Sequence, residues 1–179
     1  VAFLPAAFLG VLAGDAMKTA LFGPVPVTIA WVVGGVFLLR WKPTVGSVSL
    51  HEMPIRAALI IGCAQSIALW PGVSRSLVTL VAALAVGLSM SSAIEFSFLL
   101  GLITLSSATA LDLTKHGSEL VDQFGILAPA IGLVCAFITA VIAVKWMVGY
   151  LESHSLRVFG WYRLAIGAVS VVLLATNVL

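Results

Sequence analysis

AALIIGCAQSIALWPGVSRSLVTLVAALAVGLSMSSAI, residues 57–94, is the stretch on which the fold of this chain turns. It runs for 38 residues with a single charge, Arg75, and is interrupted by Trp70-Pro71-Gly72. Proline removes a backbone donor and clashes with the preceding turn, and glycine permits a reversal, so a helix stops there. Two architectures follow: two full crossings of a membrane with Arg75 in an outer loop, or a re-entrant pair that dips in and returns. Both bring the chain back to its starting side, so length has to decide. Ala57 to Leu69 is 13 residues, or about 20 Å of helix against the roughly 30 Å of a hydrocarbon core. The return arm, from about Ser74 to Leu88, is similar. The expectation is a re-entrant pair over about residues 54–88, with its tip near mid-depth.

The rest of the chain supports a membrane setting. Of 179 residues, 61% are hydrophobic and 9% are charged, and the mean hydropathy is +1.20. A soluble domain carries about 25% charged residues because its surface meets water. Nine Lys and Arg with seven Asp and Glu cannot cover a globule of this size, so lipid is the solvent for most of the surface. The net charge of +2 is too small and too scattered for a nucleic-acid partner. The expected class is all-α: a polytopic integral membrane protein, residues 1–179 forming one membrane domain.

Charge-free windows set the remaining spans. Val1 to Gly14 is short and ends near Asp15 and Lys18, as a helix cut at its start would, so the chain is expected to be incomplete at its N-terminus. Gly23, Pro24 and Pro26 make a turn before a second span, Val27 to Leu39, anchored by Arg40, Trp41 and Lys42. Phe96 to Leu111 is a span closed by a polar stretch from Asp112 to Asp122. Phe124 to Val144 gives 21 uncharged residues, and Leu164 to Leu179 completes the last crossing. Gly10, Gly14 and the Gly34-Gly35 pair permit close helix contact. Basic residues in the connections around 40–56 (Arg40, Lys42, Arg56) and 145–163 (Lys145, Arg157, Arg163) put both in the cytoplasm, and the acidic 112–122 segment outside. Cys63 and Cys135 read as small packing residues without a disulfide. His51, His116 and His154 fall in loop-like polar stretches.

The candidate site is the restart after the break, Val73-Ser74-Arg75-Ser76-Leu77-Val78-Thr79. Non-helical backbone inside a bilayer requires protein or a water-filled cavity around it. A helix N-terminus attracts anions through its free N–H groups and dipole. Arg75 adds a permanent charge with a fork suited to phosphate, and an intramembrane arginine signals function by default. Ser74, Ser76 and Thr79 add hydroxyls. Gln65, about a turn and a half before the break, either faces the tip or serves as a helix-packing amide. The competing structural reading pairs Arg75 with Glu95 as a buried ion pair, which would also hold the arginine for a ligand.

The run Ile61 to Ser76, with its Leu-Trp-Pro-Gly-x-Ser-Arg-Ser core at 69–76, followed by Glu95-Phe96-Ser97-Phe98-Leu99-Leu100, closely resembles the undecaprenyl-diphosphatase family known as UppP or BacA. The Gly-rich second span, Ala-Leu-Asp-Leu at 110–113 and Tyr162-Arg163 extend the resemblance over essentially the whole chain. It implies one half of an inverted-repeat architecture in which two re-entrant helix pairs meet at a central site. The implied activity is a hydrolase of the bacterial cytoplasmic membrane. It removes the terminal phosphate of undecaprenyl diphosphate at the outer face, recycles the lipid carrier of peptidoglycan synthesis, and confers bacitracin resistance when overproduced.

By that resemblance Arg75, Ser74 and Thr79 are catalytic, Gln65, Gly72 and Ser76 bind substrate, and Glu95 supports them. A divalent cation, Mg²⁺ or Ca²⁺, is implied, held mostly by residues outside this chain, which itself supplies no metal cluster. The partner is a polyprenyl diphosphate lipid, with a homodimer left open. Two departures stand out. The family's glutamate-rich segment and its Pro-Val-Ser-Ser-x-Gly-His run are not found here. Leu77 also occupies a position where the family has glycine, and leucine would obstruct a positive φ. A polyprenyl-phosphate transporter or flippase is the alternative, since broken helices at mid-membrane also serve transport; an inactive truncated paralogue is the third reading.

Overall fold

A computed structural model describes residues 1–42 and 44–176, with the side chains of residues 13, 15, 18, 152 and 153 outside the described set. The expectation that Asp15 and Lys18 close the first apolar run therefore lies outside the described side chains, although the backbone there is helical. The helices are α1 (Leu4–Leu21), α2 (Pro24–Arg40), α3 (Ile55–Gln65), α4 (Arg75–Ala85), α5 (Met90–Phe124), α6 (Leu127–Ser153) and α7 (Arg157–Ala175). Short 3₁₀ turns fill Leu50–Glu52 and Ser66–Leu69, and no strand forms among the described residues. Three helices are long and apolar enough to cross a membrane: α5, α6 over Leu127–Leu151, and α7. This is a multi-pass, all-α membrane protein.

The chain divides into two compact units, Val1–Gly101 with Ser155–Leu179, and Leu102–His154. In the first, α2 and α7 pack closely. A Cβ on Gly35 would lie 2.9 Å from Leu164, on Gly160 3.0 Å from Leu39, and on Gly167 2.7 Å from Val32. These pairings run in opposite senses along the two helices, so the contact is antiparallel and depends on missing side chains. Gly34-Gly35 behaves as expected. Gly10 has an ordinary contact, Leu69 Cδ2 3.8 Å from where a Cβ would be, and Gly14 has nothing within 4 Å.

The broken stretch forms a helical hairpin. α3 and α4 pack on each other, with Ile61, Leu80, Ala83 and Leu84 in the core. The feet of the hairpin are tied together by backbone: Val48 N–H donates to Gly87 (3.1 Å), Ser89 N–H to Val48 (3.0 Å) and Gly46 N–H to Leu88 (3.2 Å). Gly46 has to be glycine here, because a Cβ would drive into the Gly87 carbonyl. Just outside, the Ser49 hydroxyl donates to Glu52 at 2.8 Å and holds that carboxyl below its usual range.

The second unit corrects the expected end of the third span. Asp112 to Asp122 is not a loop: α5 runs unbroken for 35 residues to Phe124, and His116 is helical as well. Met90 to Leu111 already covers about 33 Å at 1.5 Å per residue, so the charged third of α5 extends past a bilayer's apolar thickness without ending the helix. Along α6 the large side chains, Leu133, Val134, Phe137 and Ile142 among them, are exposed, as lipid-facing residues are. Cys63 and Cys135 are free and exposed rather than packed inside.

Candidate anion-binding site

The reversal is a tight turn. Val73 N–H donates to the Trp70 carbonyl at 3.1 Å, with Pro71 second and Gly72 third at φ +89°. Proline followed by a positive-φ glycine is the type II pattern. The turn is docked on α2 from two sides. The Trp70 indole donates to the Pro26 carbonyl at 3.2 Å, and a Cβ on Gly72 would meet the Val27 carbonyl at 2.9 Å. An apolar cavity of about 220 Å³, lined by Phe22, Pro24, Val27, Trp31 and Pro71 among others, adjoins it.

After the turn, Ser74 caps α4, its hydroxyl accepting from Leu77 N–H at 3.4 Å. Leu77 is thus in ordinary helical backbone, and no positive φ is demanded of it. The Ser76 hydroxyl is 3.4 Å from that of Ser74, and Ser76 is exposed. The first N–H groups of the helix have no intrahelical acceptor. Arg75 is half-buried, and its guanidinium lies where a Cβ on Gly101 would be 3.0 Å away. Among the described residues it donates to no acceptor and meets no carboxylate. The competing pair with Glu95 does not form: Glu95 is on an exposed face of α5, and it is Gly101 on that helix that makes room for the arginine.

Thr79 is placed differently from its assigned role. It is 1% exposed, and its hydroxyl bonds the carbonyls of Arg75 (3.0 Å) and Ser76 (3.1 Å) and the hydroxyl of Ser97. Ser97 also donates to the Ser76 carbonyl at 3.1 Å, so the pair fastens α4 to α5 and offers nothing to a ligand. Thr79→Val is expected to cost about 1–2 kcal/mol of stability, the value of one buried hydrogen bond, read by thermal unfolding in detergent. If Thr79 instead contacted substrate, turnover would collapse with stability intact. Gln65 is 2% exposed and neither amide atom has a partner. Such a buried group is costly to leave unpaired, which keeps it a candidate ligand. Gly72 contributes conformation, its carbonyl being occupied.

The occupant of that carbonyl was not foreseen. Arg163, expected in the connection before the last span, lies within α7 and donates from Nη2 to Gly72 at 2.6 Å and to Ala30 at 3.0 Å. The only sequence signal was its place in the Tyr162-Arg163 pair. Among the described residues no three His, Cys, Asp or Glu side chains gather to hold a metal ion, so these residues do not by themselves fit a divalent cation.

Residues 1–169 match the family described as bacitracin resistance protein BacA. A Sorangium cellulosum protein named undecaprenyl-diphosphatase is 43% identical over 94% of this chain and 57% of its own length. One from Nitrosomonas europaea with the same name is 41% identical over 94% of this chain and 63% of its own. An undecaprenyl-diphosphatase 2 of Rhodospirillum rubrum is 43% identical, covering 94% and 62%. The chain thus spans about three fifths of the length of these curated relatives.

Proposed function

Since the chain belongs to the bacitracin resistance protein BacA family, we propose that it carries the diphosphate-binding portion of a membrane phosphatase acting on undecaprenyl diphosphate. The observation that carries this reading is Arg75: a half-buried guanidinium without a protein acceptor among the described residues, at the start of a helix that follows a Pro-Gly break. Water adds to the terminal phosphorus, the bond from that phosphorus to the bridging oxygen breaks, and inorganic phosphate leaves undecaprenyl phosphate behind. Such transfer depends on positioning and on offsetting charge. Arg75 offsets the charge on the non-bridging oxygens. Ser76 and the first N–H groups of α4 hydrogen-bond to them, with Ser74 a less favoured nucleophile. Gln65 completes its amide bonds on the same headgroup. The apolar cavity beside Pro71 suits the first isoprene units.

The hairpin is read as re-entrant. The inbound arm is 11 α-helical and four 3₁₀ residues, about 24 Å, and the return arm 11 α-helical residues, about 16 Å, both short of a hydrocarbon core of about 30 Å. The turn docks on the first two turns of α2, at Pro26, Val27 and Ala30. The site then opens toward the outer side of a bacterial cytoplasmic membrane, within an inverted-repeat architecture, and a homodimer is compatible with it. A divalent cation, Mg²⁺ or Ca²⁺, would be held by residues outside this chain. Proteoliposomes containing the protein and undecaprenyl diphosphate are expected to release inorganic phosphate. Lipid movement between leaflets with no phosphate release would replace this reading with that of a transporter.

A further inference from the structure

We propose that Arg163 is a positioning residue that aims the start of α4 at the anion, an inference that rests on the diphosphate-site reading above. Arg163 touches no part of the anion site itself. Its Nη2 instead bridges two carbonyls, Gly72 in the turn and Ala30 in the middle of α2, joining elements 91 residues apart in sequence. Charged donors make the stronger hydrogen bonds, and the 2.6 Å contact to Gly72 is short. Gly72 is two residues before the Ser74 cap. Holding its carbonyl on the α2–α7 side fixes the peptide plane from which Val73, Ser74 and the first N–H groups of α4 project.

The surroundings are shaped for this contact. Gly34 leaves the space in which the guanidinium lies: a Cβ there would be 2.8 Å from Nη2 and 2.9 Å from Nε. Trp70, bonded to Pro26, holds the other side of the turn. Nε of Arg163 is buried without a partner.

The test uses the full-length protein in proteoliposomes, carrying Cys63→Ala, Cys135→Ala and Val73→Cys, with inorganic diphosphate as the probe against maleimide labelling. Diphosphate should protect the parent. Arg163→Gln should raise the half-protecting concentration by about tenfold, the worth of one hydrogen bond from a charged group, and Arg163→Lys should recover part of it. Gly34→Ala keeps the arginine but displaces it, and should weaken protection in the same direction. It also decides the matter if Arg163→Gln does not fold. A purely structural role would lower the melting temperature while folded protein kept the parent's half-protecting concentration, and that result overturns the inference alone. A parent that diphosphate never protects overturns both the inference and the proposed function.

Discussion

Arg75→Ala should lower phosphate release from undecaprenyl diphosphate by about a thousandfold, the lower end of what an arginine that offsets phosphoryl charge contributes. The residue has no second structural duty to confuse the result. It donates to no protein acceptor among the described residues, and it lies beside Gly101, where a Cβ would be 3.0 Å from Nη2. Removing it relieves the cost of a half-buried charge, so the fold should survive and the melting temperature should hold or rise. Arg75→Lys restores the charge but not the bidentate fork, and should recover only part of the rate. Normal turnover by Arg75→Ala would remove the residue from the mechanism.

Gly72→Ala is the second large effect. Two independent penalties act on the new methyl group. The backbone sits at φ +89°, which costs an L-residue about 1–2 kcal/mol, and the Cβ would lie 2.9 Å from the Val27 carbonyl and 3.1 Å from the Ala30 Cβ. Neither neighbour is a flexible side-chain end, so overpacking adds about 1–3 kcal/mol. Gly87→Ala separates the two penalties, because Gly87 has φ +95° but only Val48 Cγ2 at 3.9 Å. It should lose the conformational part alone. Thermal unfolding should rank Gly72→Ala well below Gly87→Ala, with phosphate release falling further than stability because the turn sets the direction of α4. Equal losses would mean that the α2 contact has no weight.

The break at Trp70-Pro71-Gly72 was legible because proline and glycine act locally: they end a helix whatever surrounds it. The restart of the helix at about Ser74 was legible for the same reason. What failed was inference from charge to structure. Asp112, Glu119 and Asp122 looked like a loop because charges leave a bilayer, yet nothing between Met90 and Phe124 forces a helix to stop, and α5 continues to Phe124. Arg163 looked like one of the basic residues of a cytoplasmic connection. Its real partners are carbonyls 91 and 133 residues away, a pairing that no sequence pattern announces. Thr79 looked like a ligand hydroxyl, but a helical threonine can bond back to its own preceding turn, and Ser97 completed that arrangement. Glu95 was assigned by proximity in sequence, while the turn of α5 that faces Arg75 belongs to Gly101.

Substituted-cysteine labelling across residues 70–76, in proteoliposomes and in a background lacking Cys63 and Cys135, tests the proposed reversal inside the bilayer most directly. The account predicts that a bulky, membrane-impermeant maleimide leaves these positions unlabelled from either side. A small hydrophilic thiol reagent should reach positions 74 and 76, and inorganic diphosphate should slow it there. Rapid labelling of all seven positions by the bulky reagent, as in a loop wholly in water, would contradict the account.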